Sequence, residues 1–316
     1  MHWSHILVAS GLLAGVSGHG LVTSIQGANG VTMPGLSVAD GTPRDCSSNG
    51  CGSQADTSII RDREIRSGKA SALGRTQGNG PVDAKVMISN FMGAATAPTN
   101  KGAASSSGVE DDLSALKGIS GNDSNSNKTK KRGFFGDLFN NITGGGGNKG
   151  TKSNQAAETA VAASAGKGAQ SGLPTCADDG SITMTFRQIN QDGAGPLFAD
   201  VDGTSGGTDP AAFQKAEVTQ DVPGVPIAGG LSLATKTDFP LTVQMPPGMT
   251  CEATVAGVKN VCVVRVRNKA IAGPFGGSAA FTMSHAAQKR ALEYRLKKRT
   301  EEETGAQNKH RRLRLY

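Results

Sequence analysis

The chain has 316 residues and a net charge of +7, but residues 285–316 contain ten Lys and Arg against four Glu and so carry +6 of it. The rest is nearly neutral, and no segment has the roughly 18 continuous apolar residues of a membrane-spanning helix, so we expect neither nucleic-acid binding nor a membrane span. The one tryptophan, Trp3, and both tyrosines, Tyr294 and Tyr316, lie near the chain ends, which argues against a carbohydrate-binding module that stacks sugars on aromatic rings.

A secretory signal peptide is predicted at residues 1–18. Residues 6–16, ILVASGLLAGV, form an apolar run that is too short to span a bilayer, and small residues follow it. Val16 and Gly18 occupy positions −3 and −1 of a cleavage site that makes His19 the first residue of the mature protein. A cut one or two residues away, or a buried N-terminal strand, is the alternative. We therefore expect a secreted protein that is extracellular or associated with the cell wall.

Short β-prone runs, separated by Gly and Pro, follow the leader on both sides of a central insert. They are LVTSI (21–25), AKVMISNF (84–91), SITMTFRQI (181–189), FPLTVQM (239–245) and NVCVVRVRN (260–268). Short strands with turn residues between them predict a mostly β fold, an antiparallel sandwich of immunoglobulin or fibronectin type with long loops. Residues 19–98 and 173–284 are expected to form it, and PAAFQKA (210–216) is predicted to be a helix.

The insert, residues 99–172, is rich in Gly, Ser, Asn and Lys and has few residues that build a core, so it is predicted to be disordered. Three N-glycosylation sequons within it, at Asn122, Asn127 and Asn141, are consistent with exposure. The basic run that ends at Arg132 is a candidate site for a kexin-type processing protease, although basic pairs also arise by chance in Lys-rich linkers.

Five cysteines in an exported protein predict disulfides with one residue left over. Cys46 and Cys51 flank the turn-forming SSNG, and Cys251 and Cys262 flank two β-prone runs around Ala256-Gly257. We expect these two pairs to form disulfides. Cys176 then remains as a free thiol or links two chains in a disulfide-bonded dimer.

The basic tail, residues 285–316, begins as an amphipathic helix. Two interpretations of it stay open: it lies on an acidic wall or membrane surface, or it is simply solvated. Basic pairs ending at Arg290 and Arg299 are further candidate processing sites.

Four long stretches of the chain resemble the fungal Egh-like virulence factors. They are HGLVTSIQGANGVTMPGLSVADGTPRDCSSNGCGSQADTSIIRD, KASALGRTQGNGPVDAKV, FRQINQDGAGPLFADVDGTSGGTDPAAF and VQMPPGMTCEATVAGVKNVCVVRVRNKAIAGPFGGSAAFT. The likeness covers nearly all of the body on both sides of the insert. It implies a secreted cell-surface protein of appressoria or haustoria that affects host penetration, with no established reaction.

The predicted N-terminal histidine is similar, more weakly, to that of lytic polysaccharide monooxygenases, which are secreted β-sandwich proteins. There, the N-terminal amine and imidazole hold copper together with a second imidazole, and nitrogen ligands of this kind suit Cu(II). This likeness implies His19 as a copper ligand, with His285 as the candidate for the second imidazole. The side chains considered for its surroundings are Gln188 or Gln191 as hydrogen-bond donors, Phe281 in the axial position, and Arg187, whose charge opposes a cation.

Other enzyme classes have less support. The GxSxG pattern occurs as GTSGG at residues 203–207, which is expected to be a Gly-rich loop rather than the nucleophile elbow of a hydrolase. Four aspartates that cluster in sequence are expected to form turns rather than glycosidase carboxylates or calcium ligands, namely Asp192, Asp200, Asp202 and Asp209. Two hypotheses therefore remain. One is a non-catalytic surface protein, with no established cofactor, that binds a host-surface or fungal cell-wall component; the other is a copper-dependent enzyme that oxidises polysaccharide.

Overall fold

The computed structural model describes residues 19–100, 149–191, 193–224, 232, 234–270 and 273–313. The predicted leader with its cleavage site at Gly18, the Arg132 processing site and the sequons at Asn122, Asn127 and Asn141 lie outside these ranges. The strands are β1 (Gly20–Gln26), β2 (Thr32–Pro34), β3 (Ser58–Ile59), β4 (Arg75–Thr76), β5 (Gly80–Pro81), β6 (Thr151–Lys152), β7 (Ser181–Gln188), β8 (Phe198–Asp202), β9 (Phe213–Gln220), β10 (Thr237–Gln244), β11 (Ala253–Val255), β12 (Val258–Arg267) and β13 (Phe275–Phe281). The helices are α1 (Asp62–Arg66), α2 (Ala84–Phe91), α3 (Ala160–Ser164), α4 (Gly168–Ser171) and α5 (His285–Leu313).

The strands form one antiparallel sheet in the order β2-β1-β7-β10-β9-β8-β12-β13-β3-β4-β5, with β6 beside β10 and β11 beside β12. The longest register pairs β7 with β10, from Thr237 opposite Gln188 to Gln244 opposite Ser181. The next longest pair β1 with β7 and β12 with β13. The predicted mostly β, antiparallel fold is confirmed. Since neighbouring strands are often distant in sequence, the parts before and after the insert form one body.

The sheet curls until β1 packs across the face of β13. A Cβ atom at Gly277 would lie 2.5 Å from the backbone nitrogen of Val22, so the two strands approach as closely as glycine allows. The segment after β2 continues this contact, because the Leu36 amide donates to the Ser278 carbonyl at 2.9 Å. Large apolar side chains fill the space inside, among them Leu21, Ile25, Phe186, Leu241, Val264 and Phe281.

Two predicted local structures were wrong. Residues 84–91, predicted as a strand, form α2, because apolar side chains recur at helical spacing and Asp83 caps the first turn by accepting from the Lys85 amide at 2.8 Å. Residues 210–216, predicted as a helix, form one 3₁₀ turn at Pro210–Ala212 and then enter β9. Proline starts that turn, and pairing with β8 and β10 then sets the extended conformation.

The folded body also includes residues that the sequence assigned to the insert. Residues 149–172, expected to be disordered, contribute β6, α3 and α4. Val161 and Glu158 are buried, and the Glu158 carboxylate receives a hydrogen bond from Arg44 Nε at 3.0 Å. The Asp40 carboxylate accepts from the first amides of α3. The predicted boundary at 172 therefore lies too far along the chain, because buried polar contacts hold a segment of low hydrophobicity.

The basic tail begins as the helix that its sequence predicted. Ala287 and Ala291 are buried against the body, whereas Leu292, Tyr294 and Leu296 are 46%, 46% and 58% exposed. In the part of the chain that the structure describes, none of the helices has the length and apolarity needed to cross a membrane.

Candidate functional site

His19 lies at the start of β1, where the sequence predicts the mature N-terminus. Its ring is buried, 1% exposed, and packs on Phe275 with the ring centroids 4.3 Å apart. Its backbone nitrogen donates to Asn190 Oδ1 at 2.6 Å, and its carbonyl accepts from the Ile189 amide at 2.9 Å. His19 is thus fixed at one end of the curled sheet, with its ring buried.

The structure does not bring His285 to His19. Phe275, which His19 contacts, is the first residue of β13, and Phe281 is the last, so a strand of about 20 Å separates the two ends. His285 follows Phe281 as the exposed first residue of α5. Across the described ranges, no group of three or more His, Cys, Asp or Glu side chains is placed to hold a metal. The predicted copper ligand pair therefore does not fit this fold.

The side chains considered around the copper have other roles. The Gln188 side-chain nitrogen donates to the carbonyls of Asn190 and Ala234 at 3.0 and 2.8 Å, which orders the loop beside His19. Arg187 Nε pairs with Asp238 at 2.6 Å, and Gln191 is exposed. Phe281 lies at the opposite end of β13 from Phe275 and packs in the core.

Two of the four clustered aspartates shape turns, as expected. Asp202 is buried and accepts from the amides of Thr204, Ser205 and Gly207. Burial raises the pKa of Asp202, but the hydrogen bonds from the Ser205 hydroxyl and from these amides outweigh it, and the pKa is lower than usual. Asp209 accepts from the Ala211 amide. Two others differ: Asp200 forms an ion pair with Arg265 at 2.9 Å, and Asp192 lies outside the described residues.

The cysteines pair as the spacing predicted. Disulfides join Cys46 to Cys51 and Cys251 to Cys262, so both are intramolecular. Cys176 is a free thiol that is 1% exposed, and burial raises its pKa above the usual value. A disulfide-linked dimer through Cys176 is inconsistent with this placement, because a second chain has no access to the sulfur without local unfolding.

Sequence reasoning missed a cleft between α5 and the body, which we call the α5 cleft. It encloses about 420 Å³, and its helical wall carries three exposed cations: Arg295, Lys298 and Arg299. The opposite wall comes from the loop around Gly203 and Thr204, from Gln214 on β9, and from residues 247–250. The sequence did contain one signal for this cleft. On one face of the predicted tail helix, the small Ala287 and Ala291 are followed at helical spacing by the long Tyr294 and Lys298.

Contacts between α5 and the loop of residues 246–249 hold the helix in place as one wall of the α5 cleft. Gly248 has φ of 77°, and a Cβ atom there would lie 2.8 Å from Cδ1 of Tyr294. Arg295 Nε donates to the Gly248 carbonyl at 2.5 Å. Glycine is therefore needed at this position both for its backbone angle and for the approach of the tyrosine ring.

The two candidate processing sites in the tail both lie within α5. Arg290 Nη1 donates to the Asp178 carbonyl at 3.0 Å, in the turn that packs on the body, while Arg299 lies about two and a half turns further along. Processing proteases bind extended substrates, so cutting at either site requires α5 to unwind locally.

The model of the Egh16-like virulence factor family matches residues 17–276. The chain belongs to this family. Appressoria-specific virulence factor GAS2 of Pyricularia oryzae is 52% identical over 296 residues, covering 94% of each chain. Appressoria-specific virulence factor GAS1 of the same fungus is 38% identical over 152 residues, 48% of this chain and 55% of that protein. The family assignment made from the sequence is thus confirmed. The family match ends before α5, so the α5 cleft lies partly outside it.

Proposed function

We propose that this Egh16-like protein is exported and acts at the contact between fungus and host, by binding a host-surface or fungal cell-wall component rather than by catalysis. The observation that carries the proposal is the match to the family model over residues 17–276, together with the relative named as an appressoria-specific virulence factor. Binding is favoured over oxidation because His19 and His285 lie at opposite ends of β13, whereas the α5 cleft is open to a ligand.

Two observations support export. The protein has two disulfides, Cys46–Cys51 and Cys251–Cys262, and disulfides form and persist in oxidising compartments such as the secretory pathway. The family match begins at residue 17, two residues before the predicted mature N-terminus. N-terminal sequencing of protein from culture filtrate is expected to begin at His19.

An infection assay separates binding from catalysis. A fungal strain that lacks the gene is complemented with the wild type or with His19→Phe, which retains an aromatic ring against Phe275 but lacks the imidazole. We expect both to restore host penetration equally, provided that secreted amounts, N-terminal sequence and melting temperature match. A folded, correctly processed His19→Phe protein that fails to restore penetration would favour the copper enzyme instead.

We also propose that the secreted chain is glycosylated in the insert and cut after Arg132. Each disulfide lies entirely on one side of that site, so no covalent bond would join the two fragments. Pairing of β1 with β7 and of β3 with β13 would still hold them together. We expect co-elution in native size exclusion, separation on a non-reducing denaturing gel, and a mass decrease after N-glycosidase treatment. One uncut, unglycosylated chain would refute the proposal.

A further inference from the structure

We propose that the α5 cleft binds an acidic oligosaccharide, with uronate carboxylates against the cations of α5 and sugar hydroxyls against the opposite wall. This inference rests on the proposed function and names the class of ligand. The volume of about 420 Å³ lies in the range of small-molecule sites, roughly 300–1,000 Å³.

The helical wall supplies the positive charge. Lys298 and Arg299 have no ion pair among the described residues, and both are exposed. Arg295 is 3.7 Å from Glu252, a weak pair between two half-exposed side chains. The one acidic residue that lines the cleft is Glu302, so the described lining has a surplus of cations. Arg and Lys in such a place bind carboxylates through charge-assisted hydrogen bonds.

The opposite wall favours a sugar over a simple anion. Thr204 and Gln214 are exposed and offer a hydroxyl and an amide, which both donate and accept hydrogen bonds as sugar hydroxyls require. Tyr294, whose side chain is 46% exposed, adds an aromatic ring at the edge of the cleft. From the sequence, sugar stacking was not expected because the body lacks Tyr and Trp. In the structure, α5 packs on the body and places Tyr294 at its surface.

The spacing of side chains along α5 separates its docked part from its cleft-lining part. Ala287 and Ala291 face the body one turn apart, and their small size lets the helix pack closely. Tyr294, Lys298 and Glu302 continue the same face at helical spacing, and all three are exposed and line the cleft.

Titration calorimetry of the full chain with trigalacturonate, its uncharged galactose counterpart and inorganic phosphate tests the inference. The test variant is Lys298→Gln/Arg299→Gln. The matched control is Lys289→Gln/Lys297→Gln, which removes the same charge from side chains that are 78% exposed and outside the cleft lining. Circular dichroism verifies that α5 remains helical in both.

We expect the wild type to bind trigalacturonate and the test variant to bind it about tenfold more weakly, because two charge-assisted contacts are lost. The control variant should bind within twofold of the wild type. Equal weakening in both variants, equal affinity for phosphate, or no binding to the wild type at 10 mM would each overturn the inference. If binding is absent while the protein still restores host penetration, only the ligand assignment fails and the proposed function stands.

Discussion

The charged residues of the sheet body and those of α5 lie in opposite environments. In the body, Arg44 is 2% exposed and contacts two buried carboxylates, with Nη1 2.9 Å from Asp56 Oδ1 and Nε 3.0 Å from Glu158 Oε2. On α5, Lys297 and Glu301 are 4.0 Å apart and largely exposed. The same residue types thus fix the fold in one region, because burial makes their pairing obligatory, and remain available to a ligand in the other.

Breaking the buried network should give the largest effect. Arg44→Met keeps most of the side-chain volume but leaves the buried Asp56 and Glu158 without their ion-pair partner. We expect the free energy of unfolding to fall by about 3–5 kcal/mol, measured by urea denaturation. The control Arg66→Met changes an exposed arginine and should stay within about 0.5 kcal/mol. Similar losses in the two variants would mean that burial does not distinguish these charges.

The contact of β1 with β13 ranks next. Gly277→Ala places a methyl group 2.5 Å from the Val22 nitrogen, where only backbone movement makes room. We expect a loss of about 1–3 kcal/mol in the free energy of unfolding. Gly50→Ala, at an exposed site with no atom within 4 Å, is the control and should be nearly neutral. A neutral Gly277→Ala would argue against close packing of the two halves of the sheet.

The buried carboxylates should also make the body sensitive to acid. Burial raises the pKa of Glu158, but attraction to Arg44 and the hydrogen bond from the Ala160 amide outweigh it, so the pKa lies below its ordinary value of 4.5. A carboxylate whose pKa is lower in the folded state than in the unfolded state stabilises the fold. Its contribution to the free energy of unfolding is complete when the pH is above the pKa of the unfolded state, and it is lost as the pH falls through the pKa of the folded state.

Urea denaturation between pH 7 and pH 3 measures this dependence. The free energy of unfolding should decrease below about pH 5 in the wild type. Glu158→Gln should be less stable at pH 7 and should lose stability less steeply toward pH 3. A curve parallel to that of the wild type would show that Glu158 does not contribute to the acid sensitivity.

The sequence predicted the antiparallel β fold, because period-two alternation in runs such as SITMTFRQ is a local pattern that the sheet preserves. It misassigned residues 84–91, since β-branched and apolar residues in a short run are compatible with both strand and helix. It placed residues 149–172 in the insert, because composition does not reveal that Arg44 pairs with Glu158 across 114 positions. Long-range pairing of this kind leaves no local signal.

The candidate site was predicted less well than the fold, for a related reason. The copper hypothesis needed two imidazoles at one end of the sandwich, and the topology separates His19 from His285 by the length of β13. The α5 cleft needed Lys298 and Arg299 to meet Thr204, and the path of α5 over the loop at 246–249 is a tertiary feature. The sequence shows that the tail is basic, but it does not show which surface of the body its cations face.

The smallest effect on stability is expected at the far end of α5. Its first turns are held by Ala287, Ala291 and the Arg290 hydrogen bond to the Asp178 carbonyl, whereas residues 300–304 are exposed. A kexin-type protease should therefore cut after Arg299 several times faster than after Arg290, as followed by mass spectrometry, because local opening is easier there. Truncation after Arg299 should change the free energy of unfolding by less than about 0.5 kcal/mol.

A control variant tests whether docking of α5 sets this order of cleavage. Gly248→Ala forces a methyl group against the Tyr294 ring, leaves both cleavage sequences unchanged, and should speed cleavage after Arg290. Equal rates at the two sites in the wild type would mean that α5 is not held.

Cleavage after Arg299 also bears on the α5 cleft. It retains Lys298 and Arg299 but removes Glu302, the acidic residue of the described lining. Because the cut also leaves a C-terminal carboxylate on Arg299, the net charge of the lining is unchanged. The trimmed protein should therefore bind trigalacturonate within about threefold of the full chain, which makes tail processing compatible with ligand binding.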